Sequence, residues 1–148
     1  MTGSTTTRPG CQFDVGTLIV DSSALVAVIL REPDEDIYAH AILQEVSPKM
    51  SAANWLEAAM IIDSRKLPSG RIRLEEVVAN FRIEILPVTQ AIAERARQAH
   101  REFGRGNHPA KLNYGDCFAY ATAALTGEAL LFKGRDFSQT DIEPALKV

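Results

Sequence analysis

Short apolar segments alternate with longer helix-like segments along the chain, and this alternation constrains the fold more than any other feature. Residues 17–20 and 129–132 have the length and composition of buried strands. The segments between such strands begin at capping residues and carry apolar residues at helical spacing. Strands that alternate with helices predict an α/β domain with a parallel sheet, covered on both faces and joined by right-handed crossovers.

The expected element bounds follow from the same pattern. Strands are predicted at residues 17–21, 49–52, 83–88 and 129–132, with at most one weak strand in the tail. Helices are predicted at residues 24–30, 33–45, 55–65, 71–81, 90–103 and 113–126. A break is expected at residues 68–70, and Gly127 is expected to end the last helix. The expected helix caps are Ser22 or Ser23, Asn54, Thr89 and Asn113.

Length and composition indicate one ordinary globular domain. The chain has 148 residues, 46% hydrophobic and 24% charged, with a net charge of −3. Residues 1–16 are rich in Thr, Ser, Gly and Pro and are predicted to be a disordered leader outside the fold. No apolar run has the length of a membrane span, and the N-terminus lacks a signal-peptide pattern. Cys11 and Cys117 are too few for a disulfide framework, which favours a reducing cytosol.

Four acidic residues lie at positions where a charged side chain is unusual for the local sequence. Asp21 directly follows the first strand, a position that suits both a helix cap and a site above the sheet. Glu57 lies in a helix that is otherwise apolar and is expected to be buried nearly all round, although an early helical acid also favours the helix dipole. Asp116 opens a small, apolar helix, where capping competes with a functional role. Asp136 follows the last strand in a turn, where Asp is common for local reasons.

Taken together, the four acids are more informative than any one of them. Two follow strands and two lie in the first turns of helices, so a parallel sheet gathers all four on one edge. Carboxylates so placed repel one another and would partly protonate without a cation. Oxygen ligands suit Mg²⁺ or Mn²⁺, and the sequence has no His or Cys pattern at zinc spacing.

Four segments carry a resemblance to a known family. They are IVDSSAL at 19–25, SAANWLE at 51–57, LNYGDC at 112–117 and LLFKGRDF at 130–137. The chain resembles a PIN-domain ribonuclease, specifically the VapC-type toxin of bacterial toxin–antitoxin pairs, over residues 17–148. This resemblance implies a PIN-like three-layer α/β/α sandwich with a central parallel sheet of four to five strands. It also implies metal-dependent endonucleolytic cleavage of RNA, by in-line attack of an activated water on a phosphodiester.

The resemblance also implies roles for individual residues. Asp21 and Asp116 look like direct Mg²⁺ ligands, and Mn²⁺ is expected to substitute. Glu57 and Asp136 would complete the site directly or through water. Ser23 matches a small hydroxyl residue that would hold Asp21 or a water. Arg135 departs from the family pattern, in which many relatives have Asn.

Basic residues precede and follow the later acids. The possible contacts to RNA phosphates are Arg101, Arg105, Lys111, Lys133 and Arg135, with Arg95 and Arg97 in the same basic helix. The competing interpretation is that these residues simply form a solvent-exposed helix face. As a phosphate track, these residues would explain how an acidic protein holds RNA.

Partners follow mainly from the resemblance. It implies a VapB-type antitoxin, a homodimer or toxin–antitoxin hetero-oligomer, and a cytoplasmic location without membrane contact. Tyr38, Trp55 and His108 are candidate contacts at the groove or to RNA, although core burial suits Trp55 and a surface position suits His108. The RNA target remains open.

The same sequence features are compatible with two other functions. The open alternatives are a non-toxin PIN-domain nuclease in RNA processing and a non-catalytic metal-binding interaction module. An aspartyl-nucleophile phosphatase needs a second Asp two residues after the first, where this chain has Ser23. A receiver domain needs an Asp after its central strand, and the segment 86–89 has none.

Overall fold

The computed structural model describes residues 17–67 and 73–146, which form four strands and six α-helices. The strands are β1 (Thr17–Val20), β2 (Ser47–Ser51), β3 (Glu84–Leu86) and β4 (Ala129–Leu131). The helices are α1 (Ser22–Ile29), α2 (Glu35–Leu43), α3 (Ala52–Asp63), α4 (Leu74–Asn80), α5 (Gln90–Phe103) and α6 (Tyr114–Thr126). A short 3₁₀ turn follows β4 at Asp136–Gln139.

All strand pairs in the sheet are parallel, and the strand order is β3-β2-β1-β4. The predicted parallel sheet is therefore confirmed. From β1 the chain adds strands on one side as far as β3, and β4 then pairs on the other side of β1. Strand order thus reverses at β1, and α/β proteins place their sites beyond the carboxyl ends of the strands at such a switch point.

The alternation of side chains along β1 divides the core into two layers. Leu18 and Val20 belong to a cluster with α1, α2, α3 and α4, while Ile19 belongs to a cluster with α5 and α6. Ile19 and Val20 are completely buried. The result is the three-layer α/β/α sandwich expected from the resemblance.

Several predicted boundaries are confirmed by side-chain contacts. The Thr89 hydroxyl accepts a hydrogen bond from Ile92 N at the start of α5, and Asn113 caps α6. Gly127 ends α6 with a φ of 74°, a left-handed conformation that glycine adopts without strain. The predicted leader at 1–16, the break at 68–70 and residues 71–72 of the fourth helix lie outside the described residues.

Two predicted helix caps are wrong. Asp21, rather than Ser22 or Ser23, caps α1 by accepting a hydrogen bond from Ser23 N. Ser51, rather than Asn54, caps α3, since the Ser51 hydroxyl accepts from Ala53 N at 3.2 Å. In both cases the helix begins earlier than predicted, because a good capping residue lies at the end of the preceding strand (Ser51) or directly after it (Asp21).

The burial predicted for two helices is also wrong. Helix α3 is not buried nearly all round, since Leu56 is 52% exposed and Met60 is 63% exposed. In α2, the helical spacing predicts that Ile37, Ala41 and Ile42 share one apolar face. Ile42 is buried as this predicts, but Ile37 is 55% exposed and Tyr38 takes the inward position. Both helices cover the sheet with one face only, which an apolar sequence does not reveal. Within the described parts of the chain, no helix has the length and apolar character needed to cross a bilayer.

Candidate metal centre

Asp21 lies at the end of β1, beside the end of β4. Its backbone N donates to Leu131 O at 2.9 Å, which continues the pairing of the two strands. Its carboxylate Oδ2 accepts from Ser23 N at 3.0 Å and from Ser23 Oγ at 2.6 Å. The side chain is only 3% exposed, and Oδ1 is buried without a hydrogen-bond partner among the described residues. Asp21 therefore caps α1 with one oxygen and keeps the other available.

Glu57 approaches the same edge from α3. Its Oε1 accepts from Ser22 Oγ at 2.6 Å and from Asn54 Nδ2 at 3.3 Å. Ser22 is the residue after Asp21, so this contact joins α3 directly to the end of β1. The sequence suggested Ser22 and Asn54 only as helix caps, because their contact with Glu57 depends on how α1 and α3 pack.

Asp116 lies in the first turn of α6 and is 8% exposed. Its Oδ2 accepts from Asn113 N at 3.0 Å, while its own backbone N donates to Asn113 Oδ1 at 2.9 Å. The sequence suggested that a cap at Asn113 leaves Asp116 free. Instead, the two residues form a reciprocal capping box, and this box fixes the direction of the Asp116 carboxylate.

Asp136 begins the 3₁₀ turn that follows β4, and its side chain is exposed. The charge of Asp136 acts on Asp116, as do the charges of Asp21 and Glu57. Asp116 is therefore the member that couples electrostatically to all three other acids. The ends of β1 and β4 and the starts of α3 and α6 lie at the carboxyl edge of the parallel sheet, which is the edge predicted for the four acids.

Burial and mutual repulsion change how two of the acids titrate. Burial, followed by the charges of Asp21, Asp136 and Glu57, raises the pKa of Asp116 to about 7, although the Asn113 backbone hydrogen bond opposes this. Burial likewise raises the pKa of Asp21 to about 6, with a smaller contribution from Glu57 and an opposing one from Ser23. Without a cation to offset this repulsion, both carboxyls therefore keep their protons to a higher pH than an ordinary Asp.

The geometry bears on what kind of cation would fit. Among residues 17–67 and 73–146, no three His, Cys, Asp or Glu side chains already form a group able to hold a metal ion. Zinc sites need such a group, but Mg²⁺ keeps several waters and takes only one or two carboxylates. Burial raises the pKa of the Cys117 thiol to about 11, so no thiolate is available there. The unpartnered Asp21 Oδ1 and the adjacent acids fit a hydrated, hard cation.

Ser23 connects Asp21 to the loop after β4. Its hydroxyl donates to Asp21 Oδ2 and accepts from Lys133 N at 2.9 Å. The Lys133 ammonium is 2.6 Å from Glu32 Oε1 and 2.9 Å from Asp34 Oδ1. Lys133 therefore fastens this loop to the loop between α1 and α2, and its charge is already balanced by two carboxylates.

The other basic residues differ in their exposure to solvent. Arg101, Arg105, Lys111 and Arg135 are exposed, and Arg105, His108 and Lys111 line an open pocket in the loop before α6. His108 Nδ1 accepts from Ala110 N, which leaves Nε2 as the protonated nitrogen. In contrast, the Arg95 guanidinium lies 5.0 Å from the Tyr120 ring centroid and donates to its hydroxyl.

The two aromatic candidates belong mainly to the framework. Trp55 is partly buried against the core cluster of α1, α2 and α3. Tyr38 is 8% exposed, and its pKa is raised by burial and then by the charge of the nearby Asp34.

A family model and the sequences of known proteins both identify the same family for this chain. The PIN domain family model matches residues 18–143. Ribonuclease VapC28 of Mycobacterium tuberculosis is 41% identical over 130 residues, which cover 87% of this chain and 98% of that protein. Ribonuclease VapC of Mycolicibacterium smegmatis is 40% identical over 125 residues, which cover 84% of this chain and 97% of that protein.

Solved structures share the fold at much lower identity. VapC20 of Mycobacterium tuberculosis, described as a Sarcin-Ricin loop cleaving toxin, has a TM-score of 0.67 at 14% identity and covers 85% of this chain and 96% of its own. A toxin–antitoxin complex from Klebsiella pneumoniae has a TM-score of 0.65 at 17% identity and covers 89% of this chain and 100% of its own. These similarities support the three-layer sandwich.

Proposed function

Because this chain belongs to the PIN domain family, and within it to the VapC ribonucleases, we propose that it is a Mg²⁺-dependent endoribonuclease that acts as the toxin of a toxin–antitoxin pair. Residues 17–148 form its PIN domain. The observation that carries this proposal is the buried, unpartnered Oδ1 of Asp21 at the switch point of the sheet, where Ser22 joins Glu57 to the same strand end. Mn²⁺ substitutes for Mg²⁺, because both take oxygen ligands.

Asp21 and Asp116 are the residues that would hold the ion directly. Asp21 offers an oxygen, Oδ1, that is buried and has no hydrogen-bond partner among the described residues. Asp116 is also buried and is held by its capping box. When bound, a divalent ion activates water for attack on a phosphodiester and offsets charge on the phosphate oxygens.

The surrounding residues orient these groups. Ser23 fixes the rotamer of Asp21 through Oδ2, so that Oδ1 keeps its direction. Ser22 and Asn54 hold Glu57 Oε1, so this carboxylate would be oriented to accept a hydrogen bond from a water of a bound, hydrated ion. Asp136 is exposed and is proposed to act through water.

Exposed arginine and lysine side chains are proposed to form the RNA-binding surface. Arg101 and Arg105 lie at the end of α5 and after it, Lys111 lies just before α6, and Arg135 precedes Asp136. They are proposed to bind phosphates on either side of the scissile bond. Lys133 contributes to the framework of the site, because its ammonium is already paired with Glu32 and Asp34.

The partner is proposed to be a small VapB-type antitoxin in the cytoplasm, assembled with this chain as a homodimer or hetero-oligomer. The toxin–antitoxin complex among the structural neighbours supports a partner of this kind.

The proposal is tested by RNA cleavage with purified protein. Cleavage is expected with Mg²⁺ or Mn²⁺ and is expected to stop with chelator. Sequencing of the RNA ends after brief expression identifies the target. A folded protein that cleaves RNA equally well in chelator contradicts the metal-dependent mechanism, and one that cleaves no RNA with either ion contradicts the nuclease assignment.

A further inference from the structure

Asn54 is completely buried beside the site, and neither a capping role nor core packing accounts for its polar side chain. It is the third residue of α3 and is 0% exposed. Its Nδ2 donates to Gly115 O at 3.0 Å and to Glu57 Oε1 at 3.3 Å. One amide group thus joins a carboxylate of α3 to the backbone of the first turn of α6.

Gly115 shows how closely these two elements approach each other. A Cβ at this position would lie 2.3 Å from Glu57 Oε2 and 2.6 Å from both Oε1 and the carboxyl carbon. No side chain fits there without displacing Glu57. The glycine therefore leaves room for the end of the Glu57 side chain, and the residue that follows it is Asp116.

The chemistry of an amide suits this position. A Lys or Arg would neutralise Glu57 and compete with a cation, whereas an amide N–H orients the carboxylate and leaves its charge intact. The arrangement has a cost, because Asn54 Oδ1 is buried without a hydrogen-bond partner among the described residues. An apolar residue would avoid that cost, and such local penalties are typical of functional sites.

We infer that Asn54 is a positioning residue: it holds Glu57 and the first turn of α6, which carries Asp116, in the arrangement that a divalent ion requires. The inference rests on the proposed function and adds to it a residue that acts through two others. Residues that orient metal ligands in this way affect metal affinity by about 10–100-fold when they are removed.

The test is a double-mutant cycle in Mn²⁺ affinity, measured from the electron paramagnetic resonance signal of free Mn²⁺. The variants are Asn54→Ala, Glu57→Gln and the double variant, with Asn80→Ala on the exposed surface of α4 as the matched control. Asn54→Ala is expected to raise the Mn²⁺ Kd by about tenfold and to lower kcat more than it raises KM. In the Glu57→Gln background the same substitution is expected to add less than about twofold, because the two residues act as one unit.

A second variant perturbs the contact between Glu57 and α6 by changing a residue of α6. Gly115→Ala introduces a good helix former into α6 but places a methyl group against Glu57. It is expected to raise the Mn²⁺ Kd as Asn54→Ala does, while Tyr114→Ala, at an 81% exposed neighbour, leaves it unchanged. This variant keeps the test decisive if Asn54→Ala does not fold.

The outcomes separate the inference from the proposed function. If the unsubstituted protein neither binds Mn²⁺ nor cleaves RNA, the proposed function fails and the inference fails with it. If the unsubstituted protein does both, the inference alone is overturned by an unchanged Mn²⁺ Kd in folded Asn54→Ala or in Gly115→Ala. Fully additive effects of Asn54→Ala and Glu57→Gln also overturn it.

Discussion

The two carboxylate oxygens of Asp21 have different environments, and this difference shows what a single residue contributes to the site. Oδ2 is occupied by Ser23, and Oδ1 is buried without a partner among the described residues. The sequence placed Asp21 correctly at a strand end, because an apolar run followed by an acid is a local pattern. It did not predict the contacts of Ser22 and Asn54 with Glu57, because those depend on packing between helices that are distant in sequence.

Asp116→Asn is expected to lower kcat for RNA cleavage by at least about 100-fold, because the ion loses a charged ligand. The fold is expected to remain, since an Asn side chain can still accept the hydrogen bond from Asn113 N. RNA cleavage and thermal unfolding measure the two effects. Asp63→Asn, at the exposed end of α3, is the matched control and should change neither. A folded Asp116→Asn enzyme with normal kcat would remove Asp116 from the site.

The stability of the metal-free protein is expected to depend on pH through the same residues. An unfolded Asp titrates near about 3.9, whereas the folded pKa is about 6 for Asp21 and about 7 for Asp116. Between these values the folded state binds more protons, so these two groups lower the free energy of unfolding as pH rises from about 4 to about 7. The melting temperature of the unsubstituted protein should therefore fall more between about pH 5 and pH 7.5 than that of Asp116→Asn.

This prediction compares the unsubstituted protein with Asp116→Asn, because acids elsewhere in the chain also change stability with pH. Other acids have the opposite effect, and Asp34, whose pKa is lowered by its hydrogen bond to Lys133, is one of them. Those contributions are the same in both proteins, so the difference isolates Asp116. Identical pH dependence in the two proteins would show that Asp116 does not have its raised pKa.

At the scale of elements, the sequence predicted helix and strand types well and helix faces less well. The strands were found because short runs such as 18–20 and 130–131 are apolar and β-forming. The start of α3 was misplaced because Ser51 and Asn54 are both good caps, and only the packing of α3 decides between them. Its exposed face was missed because Leu56 and Met60 are apolar yet lie away from the sheet.

The link made by Lys133 between two loops is expected to stabilise the framework around β4. Lys133→Met is expected to lower the free energy of unfolding by about 1 kcal/mol, since the ion pairs are partly exposed and screened by solvent. RNA affinity should change little, because the ammonium is already neutralised by Glu32 and Asp34. Denaturant unfolding and RNA binding measure these effects, with exposed Lys66→Met as the control. A large loss of RNA affinity at unchanged stability would instead assign Lys133 to phosphate binding.

At the scale of the whole molecule, the strand order explains why acids so distant in sequence meet. Order reverses at β1, so the ends of β1 and β4 and the first turn of α6 share one edge. Glu57 reaches this edge from the second turn of α3 rather than from the first turn that the sequence predicts, because α3 begins at Ala52. A parallel sheet was enough to predict this edge from the sequence. The order of the strands was not predicted, because hydrophobic patterns specify which residues are buried but not which strands are neighbours.

Charge at this scale is expected to be uneven, since a protein with a net charge of −3 must hold RNA through a local patch. Arg105→Glu combined with Lys111→Glu is expected to weaken RNA binding and to reduce the slope of log K against log salt by about 0.7 for each lost phosphate contact. The Mn²⁺ affinity should stay unchanged. The control is Lys66→Glu, which lies past the far end of α3, roughly 9 Å of helix beyond Glu57. An unchanged salt slope would exclude these two residues from the RNA path.

The most direct test of the account is to locate the ion itself. Crystals grown with Mn²⁺ give an anomalous difference map that identifies the metal independently of its ligands. The account predicts a peak at about 2.1 Å from carboxylate oxygens of Asp21 and Asp116, the distance typical of a small, hard divalent ion. A peak bound elsewhere, or no peak in crystals of protein that cleaves RNA with Mn²⁺, would contradict it.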